Sequence, residues 1–396
     1  MIIRLKRILL PVLVPICTLM GCTPNREGLT VDSAFMYPIP TVPPYSFSRN
    51  GYSSVNTLEV ELLRDAFNEI HIRLERSLLD NDKLVRDLMD TYQGKYSSVH
   101  PRTTISTSRI HADESPRLQA KADSILMLAA VTKGYGAPDP SLLRRRSAEP
   151  GVSGSVGWSF VDNNKFYVDA KGVRLSYLFE GIVMGTVYLD RMMCTHLDES
   201  TLMNQEIRMK HVQGELLVGH NFTHLEHSWD LGYGYFRPWH TELSRDPSPL
   251  VGECLAQIEI ALAQGRIDLH YRDFTHFEEQ LTIIRREMSR AVVIHVMRLL
   301  AGEQTLANLR EDPRQAFSNL SSACGLIHAL PYLRSPEGAP YFSHAMVDMW
   351  VGKLLEGNGL WEKERLQSGI EVPGSLLHIA SEIGKPLGIT LHQLKI

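Results

Sequence analysis

Between Val173 and Asp198 the chain reads "LFEGIVMGTVYLDRMM", apolar on almost every side of a helix. A helix without a polar face must be surrounded by other chain. The segment therefore predicts a central core helix over about 173–198, with the remaining fold built around it. Gly181 and Gly185 lie one turn apart on it. With no side chain at those positions, a neighbouring helix can approach closely. Arg174 and Glu180 make the segment a poor membrane span.

The helical period recurs through most of the chain. Leu58, Leu62, Leu63, Phe67, Ile70, Leu74 and Leu78 fall on one face of a helix. Asn56 suits its N-cap, with Glu59 completing a capping box. Further helices are predicted at about 116–133, 248–264, 273–302, 313–330, 340–356 and 374–384. Residues 95–113 and "SLLRRRSAEPGVSGS" read as loops. "VGWSFVDNNKFYVDA" reads as the one β-hairpin, with Asp162, Asn163 and Asn164 in its turn. No repeat and no strand–helix alternation is visible. The predicted fold class is all-α with one minor β-hairpin.

The N-terminus carries an address. Arg4, Lys6 and Arg7 precede an apolar run of 13 residues, Ile8 to Met20. That run is short for ~30 Å of hydrocarbon and fits a signal-peptide core. It ends in Leu19-Met20-Gly21-Cys22, the pattern of a bacterial lipobox. Cleavage before Cys22 leaves a thiol and an amine to carry two or three acyl chains, enough for stable anchoring. The expected organisation is a signal peptide over 1–21, a lipidated tether and extended lead-in segment over 22–55, and one helical domain over 56–396. Four prolines in "MYPIPTVPPYSF" support the extended reading. The expected location is the outer membrane of a Gram-negative envelope, on either face, with the lipid bilayer as first partner. Removing Arg4, Lys6 and Arg7 takes the formal charge from −4 to −7. Nucleic-acid binding, which needs a basic footprint, is excluded on that ground. Cys194, Cys254 and Cys324 are widely spaced, form no CxxC, and read as buried small apolar residues.

The segment "GHNFTHLEHSWDLGYGYF", residues 219–236, raises the chemical question. At ~100° per residue on a helix, His220, His224 and His227 share a stripe that Asp230 borders, while Glu226 points away. One ion cannot take all three, because seven residues rise ~10.5 Å and metal–nitrogen bonds are only ~2 Å long. A metal site would use one histidine pair plus ligands from another helix, with His295 and Glu287 as possible donors. The alternative is a structural seam, with Trp229, Tyr233, Tyr235 and Phe236 in the core. HExxH, GxSxG, the P-loop and a strand-borne GxGxxG are absent. A metal-dependent hydrolase would have to use Asp230 or Glu226 as its base.

Glu226-His227-x-Trp229-Asp230, followed by Gly234-Tyr235-Phe236, resembles the "EHHWDEAFGYF"-type signature of a lipoprotein family labelled only as a domain of unknown function. "YSF" at 45–47 is similar to that family's opening, and "YVDAKG" before "LSYLFEGIVMGTVYLD" is similar to its glycine-bearing helix. Members are often encoded beside imelysin-like proteins and TonB-dependent receptors. The resemblance implies an imelysin-like helical bundle and a non-enzymatic binding role in iron acquisition. Iron, another divalent metal or haem would be the ligand, and a TonB-dependent receptor or an imelysin-like protein the partner. A scaffold lipoprotein that binds no ion is the competing implication. Ser228 and Leu231 stand where the signature has histidine and glutamate, and the imelysin pattern GxHxxE is not met.

Overall fold

The segment read as central is central. It runs as an α-helix over Leu175–Val183 and continues through two π-helical stretches, Met184–Leu189 and Met192–His196. The computed structural model describes residues 44–75, 82–95, 98–137, 139, 146–157 and 166–394. Cys22 and the turn Asp162–Asn164 lie outside the described residues. Ile182, Val187, Leu189 and Met192 are wholly enclosed. The two glycines do what their spacing predicts. A Cβ on Gly181 would lie 2.7 Å from the Gly325 backbone, and one on Gly185 would lie 2.5 Å from Ala329 Cα. The neighbour is the end of helix Pro313–Leu326 and the 3-10 turn Ile327–Tyr332 that follows it.

Around this helix lie Leu58–Glu75, Ser115–Thr132 and His224–Leu243. Pro249–Tyr271 and Phe274–Ala301 form a long hairpin, and Leu376–Gly384 packs on its second arm. Arg272 turns the hairpin with φ 60°, and Asp273 accepts from the His276 N–H at 3.2 Å to cap the second arm. Among the described residues no helix is long and apolar enough to cross a membrane.

The fold class is all-α with a minor β component. The predicted hairpin is present, as Gly154–Val156 antiparallel to Phe166–Val168. A second pair, Ser48–Arg49 with Tyr52–Ser53, corrects the reading of a single hairpin and of a merely extended lead-in segment. Its turn is Asn50-Gly51, at φ 53° and 81°. Asn-Gly is the strongest short hairpin signal, because both residues tolerate positive φ. Near the first helix, Asn56 Oδ1 accepts from the Leu58 N–H at 3.1 Å, but Glu59 does not close a capping box. It accepts instead from Tyr235 at 3.0 Å.

The glycine approach gives a direct test. Gly185→Ala forces backbone apart at Ala329, and overpacking of this kind costs roughly 1–3 kcal/mol. The loss is read as a lower midpoint in urea unfolding. An unchanged midpoint would mean that the two segments part without cost.

Candidate functional site

The helix carrying the signature starts later than its histidine spacing suggested. Thr223 is the N-cap, accepting from the Glu226 N–H at 3.3 Å. Glu226 Oε2 accepts in return from the Thr223 N–H at 2.8 Å, closing a capping box. The helix is therefore His224–Leu243, and His220 lies before it in an exposed turn. The predicted three-histidine stripe is thereby corrected. His220 and His227 instead stack on Phe222, at ring centroid distances of 4.7 and 4.8 Å. His224 is exposed at the first helical position, and His227 is half-buried.

Glu226 and Asp230 belong to a different assembly. Arg266, 2 % exposed, projects from Pro249–Tyr271 between these carboxylates, which are 1 % and 0 % exposed. Its Nη1 donates to Glu226 Oε1 at 3.0 Å and its Nε to Asp230 Oδ1 at 3.1 Å. The residues 45–54 complete the network as a strap. Tyr45 Oη donates to Asp230 Oδ1 at 2.6 Å, and Arg49 donates twice to Glu226, at 2.8 and 3.0 Å. Tyr45 stacks on Tyr233 at 3.8 Å, Phe47 lies under the Arg266 guanidinium, and Ser54 Oγ accepts from Arg266. Burial opposes the charge on Glu226, but Arg266, the Arg49 hydrogen bond and the Thr223 N–H outweigh it and hold the carboxyl down at about 2. Burial pushes Asp230 the other way, up to about 6, against the pull of Arg266 and Tyr45.

The aromatic half of the signature is core. Trp229 Nε1 donates to the Leu262 carbonyl at 2.8 Å, and the indole fills the space over Gly265, where a Cβ would lie 2.2 Å from Trp229 Cζ2. Ser228 Oγ donates to the His196 carbonyl at 3.1 Å. Leu231 is buried in the core.

That Ser228 contact introduces a residue the sequence reading missed. His196 closes the second π stretch and stacks on Tyr235 at 5.4 Å. Its Nε2 and the Nδ1 of His227 are both buried without a hydrogen-bond partner among the described residues. Burial, with Arg191, His227 and His224 adding to it, pushes His196 down to about 3. Burial likewise lowers His227, with Glu59 opposing and His220 and His224 assisting. Both rings are thus neutral imidazoles with lone pairs, the protonation state that metal ligation needs. His295 and Glu287 are elsewhere: His295 pairs with Asp246 at 2.8 Å and Glu242 at 3.3 Å, and Glu287 with Arg286 and Arg290.

Among the described residues, one set of three ligand atoms lies within 4.8 Å of one another: His111, Asp190 and Cys194. There Arg334 Nη2 already donates to His111 Nε2 and Cys194 Sγ, each at 2.9 Å. Burial, aided by Arg334 and His344, pushes His111 down to about 3, and burial raises the Cys194 thiol. An organic cation thus serves two of the three donors. All three described cysteines are free and buried, as their spacing predicted.

Residues 45–54 thus strap an all-α body, in which His196 Nε2 and His227 Nδ1 have no hydrogen-bond partner among the described residues. The chain belongs to a family described as a domain of unknown function (DUF4856), whose profile matches residues 43–390 and so begins at the strap. No curated protein and no solved structure matches the chain.

Two measurements check the network. Arg266→Ala leaves buried Asp230 without its cation and Glu226 with Arg49 alone, and should cost about 3–5 kcal/mol in urea unfolding. A loss under about 1 kcal/mol, the scale of an exposed pair, would place the network on the surface. Asp230 titrates in the opposite direction to Glu226. Its pKa is raised from 3.8 to about 6, so its contribution is complete below 3.8 and lost as pH rises toward 6. That of Glu226, lowered from 4.5 to about 2, is lost only as pH falls below 4.5. Asp230→Asn should therefore flatten the stability profile between pH 4 and 6 and leave its acid limb. Parallel profiles in that window would refute the assignment.

Proposed function

We propose that the protein is a lipid-anchored, non-enzymatic binding protein of the cell envelope that holds a divalent metal ion, with His196 and His227 as its candidate ligands. The observation that carries this reading is the pair of buried, neutral and unpartnered ring nitrogens, His196 Nε2 and His227 Nδ1, on two adjoining elements. Sequence reasoning asked for one histidine pair plus a ligand from another element, and His196 is such a ligand. Imidazole nitrogen suits iron, zinc, copper and nickel. The choice of iron, and of a TonB-dependent receptor or imelysin-like protein as partner, comes from the family resemblance alone. The hydrolase reading loses support because Asp230 and Glu226 are both engaged by arginine. Glu59, which bears on His227, is held by Tyr235.

The test uses protein without a histidine tag. Zinc or iron(II) should raise the wild-type melting temperature, by the RT ln(1 + [L]/Kd) that ligand linkage requires, and chelator should reverse the rise. His196→Ala and His227→Ala should each abolish it. Identical wild-type curves with and without metal would overturn this reading and leave the ion-free scaffold in its place.

The anchor is tested separately. Cys22→Ala should release the protein from membranes into the soluble fraction. Retention of the mutant in high-salt-washed membranes would overturn the lipid anchor.

A further inference from the structure

A second site lies apart from the histidines. A cleft of about 220 Å3 opens between Leu58–Glu75, the central helix and the end of His224–Leu243. Its floor is apolar, with Phe67 and Phe179 wholly or nearly enclosed. Its rim carries charges of both signs. Some of these are committed: Glu242 accepts from His295 and Arg245. Two are not. Arg64 has only a 3.5 Å contact with its exposed neighbour Asp65. Glu180 has only His71, whose Nδ1 lies 3.3 Å away but is not aligned for a hydrogen bond.

Arg64 and Glu180 line the same cleft with opposite charge, yet form no ion pair with one another among the described contacts. Burial and Tyr235 push the Tyr188 hydroxyl up; Arg64 and Glu180 also act on it, in opposite directions. This tyrosine is 3 % exposed, lines the cleft, and makes no hydrogen bond among the described residues. It stands in the first π stretch, a departure from α-helix that is frequent at functional sites. Partial burial raises the Glu180 carboxyl, against His71 and with Glu242 adding, although the side chain is 43 % exposed at the rim.

We propose that this cleft binds a small zwitterion of the α-amino-acid class. The ligand's ammonium sits against Glu180 and the Tyr188 hydroxyl oxygen, its carboxylate against Arg64, and its side chain on Phe67 and Phe179. A guanidinium and a carboxylate lining one cleft over an apolar floor match a ligand that carries both charges and a hydrophobic body. The volume fits: it is below the ~300–1,000 Å3 of drug-sized ligand pockets. The amide Asn68, one turn after Arg64 on the same helix face, lines the cleft beside it.

Calorimetric titration of the purified protein tests this with L-leucine, L-leucinamide and N-acetyl-L-leucine, after the common amino acids are screened by thermal shift. L-leucine should bind, and each blocked form should lose about tenfold or more in affinity, the equivalent of one ion pair at 1.4 kcal/mol. Arg64→Gln should erase the preference over leucinamide alone. Glu180→Gln should erase the preference over the acetylated form alone. Tyr188→Phe should weaken L-leucine and leucinamide in parallel. Melting temperatures of the three variants, measured without ligand, show that each is folded. The proposal is overturned if no amino acid binds, if blocked and free forms bind alike, or if the amine alone suffices.

Discussion

The structure turns on one buried guanidinium. Arg266 is enclosed with two carboxylates, and removing charges from water is repaid only when each has a well-placed opposite charge. Arg266 alone leaves the group one negative charge in excess when Asp230 is ionised. Arg49 from the strap supplies the second cation, and Tyr45 supplies a donor to Asp230. The strap is thus part of the electrostatic balance, not a lead-in to it. Without it Glu226 would lose two of its donors while remaining buried. The same Glu226 closes the capping box that starts the signature helix, so strap, helix start and the neighbouring hairpin are bound into one cooperative unit.

Much of this was legible in the sequence. The helices at 249–271, 274–301 and 313–326 follow from apolar periodicity and from Pro, Ser and Asp at their starts, and they fall within a few residues of the expected bounds, save for a first arm longer by seven residues. The close approach at Gly181 and Gly185 followed from composition alone, because only glycine permits it. The histidine stripe failed for a local reason that was also in the sequence. Thr223-x-x-Glu226 is a capping-box pattern, and it places His220 outside the helix. Periodicity was applied across a boundary that the cap had set. Asn50-Gly51 was missed because the prolines before it suggested an extended segment throughout.

Other features had no sequence signal. Ion pairs such as Arg49–Glu226 join residues 177 positions apart, and one chain cannot reveal which of many arginines meets which carboxylate. Ser228 and Leu231 read as lost ligands, yet each has a structural role: Ser228 ties down the His196 carbonyl, and Leu231 is core. The question of ligation thereby moves from Ser228 to His196, the residue whose carbonyl the serine holds.

His196 and Tyr188 share a cause that periodicity could not expose. Both sit on π stretches of the central helix, and each such stretch turns by more residues than the ~3.6 of an α-helix. Gly181, in the α-helical part, and Gly185, in the first π stretch, pin that helix against Gly325 and Ala329. Each residue in such a stretch rotates by less than in an α-helix, so the residues that follow take a shifted angular position. Met184–Leu189 brings Tyr188 to the cleft, and Met192–His196 brings His196 alongside the signature helix. The first stretch is accommodated by neighbouring polar groups, since Trp239 Nε1 donates to the Met184 carbonyl at 3.0 Å. One helix, fixed by glycines on one side and underwound in two steps, thereby positions a residue in each of two separate candidate sites.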